Sequence, residues 1–585
     1  MKVSDYVMDF LFEKKIRYIF GFQGSSVTHL IDSLHKVKGL TYIQNYHEQA
    51  SSFSADAYAR VCGGVGVAIA TSGPGATNLI TGVANSFFDS VPCLFITGQV
   101  STHAIKAKQA IRQQGFQETD IVSIAKPITK FAETVLDPEK IRFYLEKAFF
   151  YAQSGRPGSV LIDIPHNVQA SEINPQVLKS FYDSDEYTSE MKKNTRPDEN
   201  VVRQIVAMLT EAKRPVVLAG GGMASVRGKG VFKTLIHACD LPVVASLRGL
   251  DSIDHDDKHF CGFIGSYGNR YANFAVAKSD LLLVLGSRLD ERQTGPDITL
   301  FAKDARIIHV DVDPHELNHN VRETISVCCD IGFFLNALAA EISNRCFDNK
   351  DWLDSIHRWK LKYPSYTVHS HVNDIDPNEF LHILSKKVSD NAVVCSDVGQ
   401  NTMWVAQSFC FSGDRQLIGS SGHGAMGYSL PAGIGAHFVS PDRQTICVMG
   451  DGGIQMNLQE LQTISREQIP VKIFVMNNRS LGMIRDFQEK YFNNHCFGSV
   501  EGYANPDFER LAHAFNIMYT KICTRKDFDK LDRELKNTKP HLFEVVLSPT
   551  TQVIPEPAPR RAVEDQLPLL DRDEFNSLLE LDTSS

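Results

Sequence analysis

The chain lacks the features that mark membrane proteins, nucleic-acid binders and disulfide-linked secreted proteins. No apolar run approaches the roughly 18 residues that a bilayer-spanning helix needs, and Lys and Arg form no long cluster that could neutralise successive phosphates. The twelve cysteines are scattered without a C-x-x-C pair, so their spacing indicates neither a zinc site nor a disulfide framework. We expect no membrane segment and no nucleic-acid partner, and the scattered cysteines favour a reducing cytoplasm.

The start of the chain lacks the pattern of a secretory signal. Charged residues interrupt every apolar run of the first 21 residues, which predicts an amphipathic helix followed by a strand, and we expect no signal peptide. The formal charge of -9 is small for 585 residues. Because one hydrophobic core cannot serve a chain of this length, about 150 residues per domain predicts three or four compact units.

Short runs rich in Val and Ile recur along the chain, with Gly-rich exits and helical stretches between them. Such uninterrupted apolar strands are typical of parallel sheets that are covered on both faces, so the predicted fold class is α/β, with three doubly wound parallel-sheet domains. Two polar stretches, 170–200 and 345–375, are predicted linkers. The predicted domains are 1–170, 195–345 and 372–550, and the proline-rich 551–585 is predicted to be a surface tail or lid.

The strongest local motif is Gly450-Asp451-Gly452 after one predicted strand, with Asn478 after another. Strands of one parallel sheet place such residues along the same carboxyl edge, where ligands bind. A carboxylate, an amide and a backbone carbonyl, which we assign to Ser480, suit magnesium that is completed by diphosphate oxygens. The alternative is two unrelated turns, because Asp-Gly and Asn-Asn are common turn formers.

Glu48 lies directly after another predicted strand, at the start of an apparent helix. The macrodipole favours a carboxylate at that position, so a plain helix cap is the alternative to a functional role. The other motifs of the chain decide between a helix cap and a functional role for Glu48. The motifs occur in the order GFQGSS (21–26), YHEQA (46–50), ATSGPGATN (70–78), SVPCLFITGQ (90–99) and QGFQETD (114–120), with GDG and NN more than 300 residues later.

This ordered series resembles that of thiamine-diphosphate-dependent enzymes, in particular the acetolactate synthase catalytic (large) subunits, over nearly the whole chain. The resemblance implies a pyrimidine-binding first domain, a flavin-binding-like central domain and a diphosphate-binding third domain. It also implies a transferase that decarboxylates a 2-oxo acid such as pyruvate and passes the two-carbon unit to a second carbonyl. Glu48 would be the carboxylate that shares a proton with the cofactor's pyrimidine ring.

The resemblance assigns further residues to the reaction site. Gln117 and Phe116 match an active-site F-Q-E step, in which Gln117 would hydrogen-bond a substrate oxygen, and Gly24 matches a glycine whose backbone lines the pocket. Met426 matches the side chain that forces the cofactor to bend, although simple core packing is its alternative. The other residues matched to cofactor binding are Gly399, Gln400, Gly424, Gly450, Gly452, Gly453 and Met483.

The central third of the chain resembles segments that hold FAD in acetolactate synthases, where the flavin is structural. Guanidinium groups and backbone amides could hold its diphosphate, and a carboxylate after a strand could bind ribose or adenine. The alternative is an empty domain, as in decarboxylase relatives. The candidate flavin residues are Arg156, Gly221, Arg288, Arg292, Asp311 and Asp313.

The acceptor end of the predicted site departs from the family pattern. Phe487 replaces a usual Trp, and His423 replaces a usual Leu; with Ile484 they form the predicted substrate pocket. His423 could hydrogen-bond a polar acceptor or be an ordinary half-buried histidine. Four further positions also differ: Ser25 and Ser26 replace a usual Gly-Ala pair, Asn401 replaces a His, and Tyr267 replaces a His near the flavin.

These departures leave alternative functions open. Acetyl transfer to an acceptor other than pyruvate, such as a keto-sugar or aldehyde, is one, and a 2-hydroxyacyl-CoA lyase is another. A non-catalytic relative would not need Glu48 opposite a metal site. The resemblance further implies a homodimer or homotetramer, because the cofactor lies between the first domain of one subunit and the third of another, and it leaves room for a regulatory small subunit.

Overall fold

Three six-stranded parallel sheets organise the computed structural model of the chain, which describes residues 1–106, 110–192, 196–226, 230–322, 324–342, 345–366 and 374–579. Helices cover both faces of each sheet, as continuous apolar strands require. The α/β fold class with three parallel-sheet domains is thereby confirmed. Within the described residues, no helix has both the length and the apolar character to cross a bilayer.

The first sheet has the strand order β2-β1-β3-β4-β6-β5. Its strands are β1 Tyr18–Phe22, β2 Thr41–Gln44, β3 Gly66–Ala70, β4 Cys93–Gln99, β5 Phe131–Thr134 and β6 Ser159–Pro165. The helices of this region are α1 Val3–Glu13, α2 Thr28–Leu34, α3 Glu48–Cys62, α4 Pro74–Asn78, α5 Ile80–Phe88, α6 Ile121–Ala125, α7 Ile141–Gln153, α8 His166–Ala170 and α9 Asp185–Met191.

The central sheet has the strand order β12-β11-β10-β7-β8-β9, in which the first and fourth strands of the domain are neighbours, as in dinucleotide-binding sheets. Its strands are β7 Pro215–Ala219, β8 Val243–Ala245, β9 Phe260–Phe263, β10 Leu281–Leu285, β11 Arg306–Asp311 and β12 Ile325–Cys328. The helices are α10 Glu199–Glu211, α11 Val231–Cys239, α12 Arg270–Ala277, α13 Glu291–Thr294, α14 Ile331–Ile342 and α15 Lys350–Lys362.

The third sheet repeats the strand order of the first, as β14-β13-β15-β16-β18-β17. Its strands are β13 Val393–Ser396, β14 Gln416–Gly419, β15 Thr445–Gly450, β16 Lys472–Asn477, β17 Met518–Ile522 and β18 His541–Val546. The helices are α16 Pro377–Lys387, α17 Gln400–Ser408, α18 Ser429–Val439, α19 Asp451–Met456, α20 Leu461–Glu467, α21 Gly482–Tyr491, α22 Phe508–Ala514, α23 Leu531–Glu534 and α24 Arg572–Leu579.

Each sheet has a switch point, where two neighbouring strands send their connections in opposite directions. The switch points lie between β1 and β3, between β7 and β10, and between β13 and β15. Ligands of open parallel sheets bind outside the carboxyl ends of the strands at such points. The fold therefore offers three ligand-binding edges, and most of the predicted site residues lie at one of them.

The two predicted linkers are more structured than expected. The stretch 170–200 contains α9 and the buried Phe181, and 345–375 contains α15. Trp352 and Ile356 of α15 are buried, and the Trp352 indole donates to the Pro215 carbonyl at 3.2 Å, so this helix packs on the central domain. Residues 367–373 of the second stretch lie outside the described residues. The exact domain boundaries stay a prediction.

The segment after residue 550 is packed against the central domain, although the sequence suggests a surface tail or lid. The Asn273 amide donates to the Val563 carbonyl at 3.0 Å, and the Gln566 amide donates to the Gly268 carbonyl at 2.9 Å. Phe575 of α24 meets Phe274 of α12 edge-on. Most of the described part of this segment therefore forms an outer layer of the central domain, whereas its first residues, Thr551 and Gln552, accept hydrogen bonds from Gln400 and Trp404 of the third domain.

Helices α3 and α18 pack closely and join the first domain to the third. The Ser54 hydroxyl donates to the Pro431 carbonyl at 2.9 Å, and a Cβ added at Gly435 would collide with the Ser54 carbonyl oxygen. Glycine at 435 is therefore required by the close approach of the two helix backbones.

We expect Gly435→Ala to lower the free energy of unfolding by about 1–3 kcal/mol, because the added methyl group must push α18 away from α3. Thermal denaturation of the purified full-length variant checks this. Gly64→Ala is the control, since a Cβ there would lie 3.4 Å from its nearest neighbour, Cys62 Sγ. Equal melting temperatures for the two variants would contradict the expectation.

Candidate active site

The carboxyl edge of the third sheet brings Asp451 and Asn478 together. Asp451 is the first residue of α19 and follows β15, while Asn478 follows β16, and these two strands are paired in parallel with Gly450 opposite Met476. Asp451 and Asn478 are 2% and 4% exposed, although both carry polar side chains. The sequence-based expectation that they share an edge holds in the structure.

The Asp451 carboxylate is buried with one oxygen unsatisfied. Its Oδ2 has no hydrogen-bond partner in the described part of the chain. Burial raises the pKa of the carboxyl group to about 6, although hydrogen bonds from the Tyr503 hydroxyl and from backbone groups that include Arg479 oppose this. A buried carboxylate oxygen without a partner is costly unless a cation binds it, so this group fits a metal ligand.

Hydrogen bonds fix the orientation of Asn478. Its Nδ2 donates to Gln400 Oε1 at 2.8 Å, and its Oδ1 accepts from the Ser480 amide at 3.2 Å. Gln400 is held in turn by Asp486, which accepts from its Nε2 at 2.6 Å. Asp451, Asn478 and the buried Ser480 thus offer carboxylate, amide and backbone oxygens, the donor types that magnesium prefers.

Asp397 forms the other side of this switch point, after β13. The carboxylate accepts the backbone amides of Val398, Gly427 and Ser429 at 2.8–3.0 Å, while burial raises its pKa to about 6. A Cβ at Gly453 would lie 2.9 Å from the Asp397 carboxylate, so glycine permits the close approach of α19. This carboxylate holds the backbone of the segment that carries Met426.

The predicted cofactor-binding residues of the third domain lie around this edge. Met426 is half-buried, and its Cε would lie 3.6 Å from a Cβ added at Gly452. Gly399 and Gly424 have positive φ angles of 138° and 70°, which favour glycine. Gly450 ends β15, and Met483 on α21 packs against the hydrophobic core.

Glu48 lies at the switch point of the first domain. It is 7% exposed and accepts from the Asn78 amide at 2.9 Å. A Cβ at Gly75 would lie 3.0 Å from Glu48 Oε1, and one at Gly24 would lie 2.5 Å from Thr71. Glycines therefore keep open the space beside the carboxylate.

Gln117 joins the same cluster from a loop. Its backbone has a φ of 64°, an unusual left-handed conformation for a non-glycine residue, and a Cβ at Gly73 would lie 2.9 Å from its carbonyl oxygen. The structure thus brings Gly24, Glu48 and Gln117 to one loop, residues 71–75. Phe116 points away from the core and is 86% exposed.

The three predicted substrate-pocket residues are not brought together by contacts among the described residues. Ile484 and Phe487 lie on α21 and are 52% and 54% exposed, and Phe487 packs against Tyr491 with ring centroids 4.8 Å apart. His423 is exposed and stacks on Phe88 of the first domain, with centroids 5.7 Å apart. The pocket that they would form stays a prediction.

The candidate flavin residues lie at the carboxyl edge of the central sheet or face it. Gly221 follows β7, Arg288 and Arg292 follow β10, and Asp311 ends β11. Burial raises the pKa of Asp311.

Arg156 reaches this edge from the first domain. Its Nε donates to the Ser90 hydroxyl at 2.8 Å, while Nη1 lies 3.4 Å from the Asp313 carboxylate and also contacts Glu316. Arg288 is paired within its own loop with Asp290 at 2.9 Å. Arg156 and Asp313 therefore meet across the two domains.

Sequence reasoning missed the groups that connect the domains around the site. The buried Glu460 accepts from the Asn45 side-chain amide at 2.9 Å and from the Tyr46 backbone amide at 2.8 Å, and Asn457 Nδ2 donates to Gln49 Oε1 at 3.3 Å. The stretch NLQE at 457–460, directly after the GDG helix, contains these groups. The position of these polar residues beside a binding motif is the only sequence feature that indicates these interdomain contacts.

Comparisons with known proteins match the three domains separately. The descriptions of the matching family models are thiamine pyrophosphate enzyme N-terminal TPP binding domain (residues 1–124), central domain (202–338) and C-terminal TPP binding domain (397–545). An acetolactate synthase large subunit from Cyanidium caldarium is 36% identical over 572 residues, which is 96% of each chain. One from Lactococcus lactis subsp. lactis is 34% identical, covering 94% of this chain and 93% of its own. Acetolactate synthase 1, chloroplastic, from Zea mays is 34% identical, covering 95% and 86%.

We expect Asp451→Asn to stabilise the protein in metal-free buffer at pH 7.5 by about 1–3 kcal/mol, and by about half as much at pH 5. The folded pKa of about 6 exceeds the ordinary 3.8, so the native state binds the extra proton between these values. The free energy of unfolding of the unsubstituted protein therefore falls as pH rises through this window. Melting temperatures in EDTA at both pH values measure the difference between the variant and the unsubstituted protein. An equal gain in stability at both pH values would contradict the raised pKa of Asp451 as its cause.

Proposed function

Because the chain belongs to the thiamine pyrophosphate enzymes, in the acetolactate synthase large-subunit branch, we propose that it decarboxylates a 2-oxo acid, pyruvate by preference, and transfers the two-carbon unit to a second carbonyl. The observation that carries the proposal is the unpartnered, buried Asp451 oxygen beside Asn478 at a switch point. Glu48, buried beside glycines at the switch point of the first domain, supports it.

Asp451, Asn478 and the Ser480 carbonyl would hold magnesium, and the ion would hold the cofactor diphosphate. Gln400 keeps the Asn478 amide oriented, so that its oxygen is presented in one direction. The glycines at 399, 424, 450, 452 and 453 leave room for phosphate groups close to the backbone. Met426, which approaches Gly452, would support the bend of the cofactor.

Thiamine diphosphate, when bound, supplies a nucleophilic thiazolium carbon and an electron sink for loss of carbon dioxide. Glu48 would hold a proton at the pyrimidine ring nitrogen, and the Asn78 amide keeps the carboxylate in place. Gln117, held in its strained backbone conformation against Gly73, would donate a hydrogen bond to the substrate oxygen. Gly24 would line the same pocket with its backbone.

FAD is the ligand that best suits the switch point of the central sheet. The loops after β7 and β10 approach so closely there that a Cβ at Gly222 would lie 2.9 Å from the Gly286 Cα, so glycines keep side chains out of this edge. Gly221, Arg288 and Arg292 would hold the phosphates. Arg156, Asp311 and Asp313 would bind the ribose or adenine end.

A second copy of the chain would complete the site. The side chains that flank both cofactor edges are apolar and exposed, among them Phe116, Met456, Ile484 and Phe497. Such exposed apolar surface marks an interface. We propose a homodimer as the smallest assembly, with a homotetramer and a regulatory small subunit as further levels. A cytoplasmic location stays a prediction.

Transfer to an acceptor larger or more polar than pyruvate is the second candidate function. Phe487 is half exposed on α21, where its ring leaves more room than the family's usual tryptophan. The exposed His423 would add a hydrogen-bonding group on the other side. A keto-sugar or an aldehyde would suit these two changes.

We expect Glu48→Gln to lower the turnover of pyruvate at least 100-fold, because a neutral amide cannot hold the required proton. Carbon dioxide release from labelled pyruvate, with saturating thiamine diphosphate and magnesium, measures it. Glu467→Gln, at an exposed glutamate, is the control that should keep full activity. Undiminished turnover in the Glu48 variant with an intact fold would refute the assignment.

We expect Phe487→Trp to reduce the use of a bulky aldehyde about tenfold relative to pyruvate, because the larger ring fills acceptor space. Mass spectrometry of the products from labelled pyruvate, with and without the aldehyde, gives the ratio. Phe333→Trp, at an exposed position in the central domain, is the matched control. Fast acetolactate formation from pyruvate alone by the unsubstituted enzyme would favour the first function over the second.

A further inference from the structure

Two histidines and two aspartates cluster on the central domain, outside the switch points. His237 lies in the last turn of α11, Asp240 follows that helix, and Asp257 and His259 lie in the loop before β9. The side chains of His259 and Asp257 are 2% and 8% exposed, whereas that of His237 is 46% exposed. The cluster is therefore buried on one side and open to solvent on the other.

The Asp257 carboxylate lies between the two imidazole rings. Its Oδ2 is 2.6 Å from His237 Nε2, and its Oδ1 is 2.7 Å from His259 Nδ1. One ligand atom from each of these three residues can be chosen so that all lie within 4.8 Å of one another. Two nitrogen donors and one carboxylate thus converge on one small volume.

The second nitrogen of His259 is also bound. His259 Nε2 lies 2.8 Å from Asp240 Oδ1, and Lys258 Nζ lies 2.7 Å from the same oxygen. A neutral imidazole carries one N–H, so a proton donated to Asp240 leaves the Nδ1 lone pair facing Asp257. Metal-binding histidines are oriented in this way, with the remote N–H donated to a carboxylate.

We propose that His237, Asp257 and His259 bind one divalent transition-metal ion of the zinc type. The ligand atoms are His237 Nε2, His259 Nδ1 and a carboxylate oxygen of Asp257; Asp240 orients His259, and water completes the shell. Two imidazoles with one carboxylate suit zinc, whereas magnesium prefers an all-oxygen shell. Tetrahedral bonds of about 2.0 Å place ligand atoms roughly 3.3 Å apart, so the two carboxylate–imidazole contacts would lengthen by about 0.6 Å, while the widest separation, at most 4.8 Å, would shorten.

The ion would act on a loop that joins two domains. Residues 254–256 contact the third domain through the Gly413 amide to Asp254 at 2.9 Å, the His255 amide to the Phe411 carbonyl at 2.9 Å, and the Ser412 hydroxyl to Asp256 at 2.8 Å. Bound metal would tie this loop to the end of α11. The site therefore stabilises the joint between the central and third domains, independently of the proposed reaction.

Zinc titration of the full-length, EDTA-treated and desalted protein tests the site, with a chromophoric chelator as competitor. We expect one ion per chain and a higher melting temperature with zinc. His237 is exposed, so His237→Gln should not disturb folding. This substitution should weaken zinc binding at least tenfold and abolish the rise in melting temperature. Asp240→Asn should weaken it 10–100-fold, as for other residues that orient a ligand. His513→Gln, at an exposed histidine on α22, should change neither measurement.

Cobalt(II) substitution separates this cluster from the free cysteines. The expected absorption is that of nitrogen and oxygen ligands, and it should be lost in His237→Gln. Thiolate charge-transfer bands would place the ion at cysteines and overturn the proposal. Unchanged affinity in His237→Gln, or the absence of any stoichiometric zinc binding, would also overturn it.

Discussion

The positions of the cofactor edges depend on a buried ion cluster where the three domains meet. Its charges balance, with two aspartates against two arginines, and a tyrosine hydroxyl donates to one of the carboxylates. The contacts are Tyr428 to Asp56 at 2.6 Å, Arg60 to Asp56 at 2.6 Å, Arg60 to Asp89 at 2.8 Å, and Arg248 to Asp89 at 3.3 Å. Loss of one member would leave another charge buried and unpaired, at a cost of about 3–5 kcal/mol. The cluster thereby links the three sheets whose carboxyl edges are the proposed ligand sites.

The same cluster controls the segment before Met426. Asp89 accepts the backbone amides of residues 421 and 422 at 3.1 and 2.7 Å, while Asp397 holds the amides that follow Met426. The segment that carries Met426, the side chain proposed to support the bend of the cofactor, is thus held at both ends by buried carboxylates. Neither carboxylate is on the same element as Met426. The position of this side chain therefore depends on how the domains pack against one another.

Much of the fold, and the placement of several candidate site residues at strand exits, could be predicted because the signals are local. Continuous apolar strands with glycine or aspartate exits specify buried parallel sheets, and Glu48, Asp451 and Asn478 lie directly after such strands. The helix α15 was missed because its apolar residues, spaced for one face, lie among many charges that resemble a linker. The contacts of Glu460 and Asp89 join residues more than 300 positions apart, and no local pattern encodes them.

Residues 553–575 pack on the central domain, so this domain is completed only after the third domain has been synthesised. The central sheet ends at Cys328 and α15 already covers part of α12, yet Val563 and Phe575, which also contact α12, are made only after the entire third domain has been translated. During synthesis, the part of the Phe274 surface that Phe575 covers therefore stays open while more than two hundred further residues emerge after Cys328. The last stretch of chain closes that surface, which makes the middle domain the final one to mature.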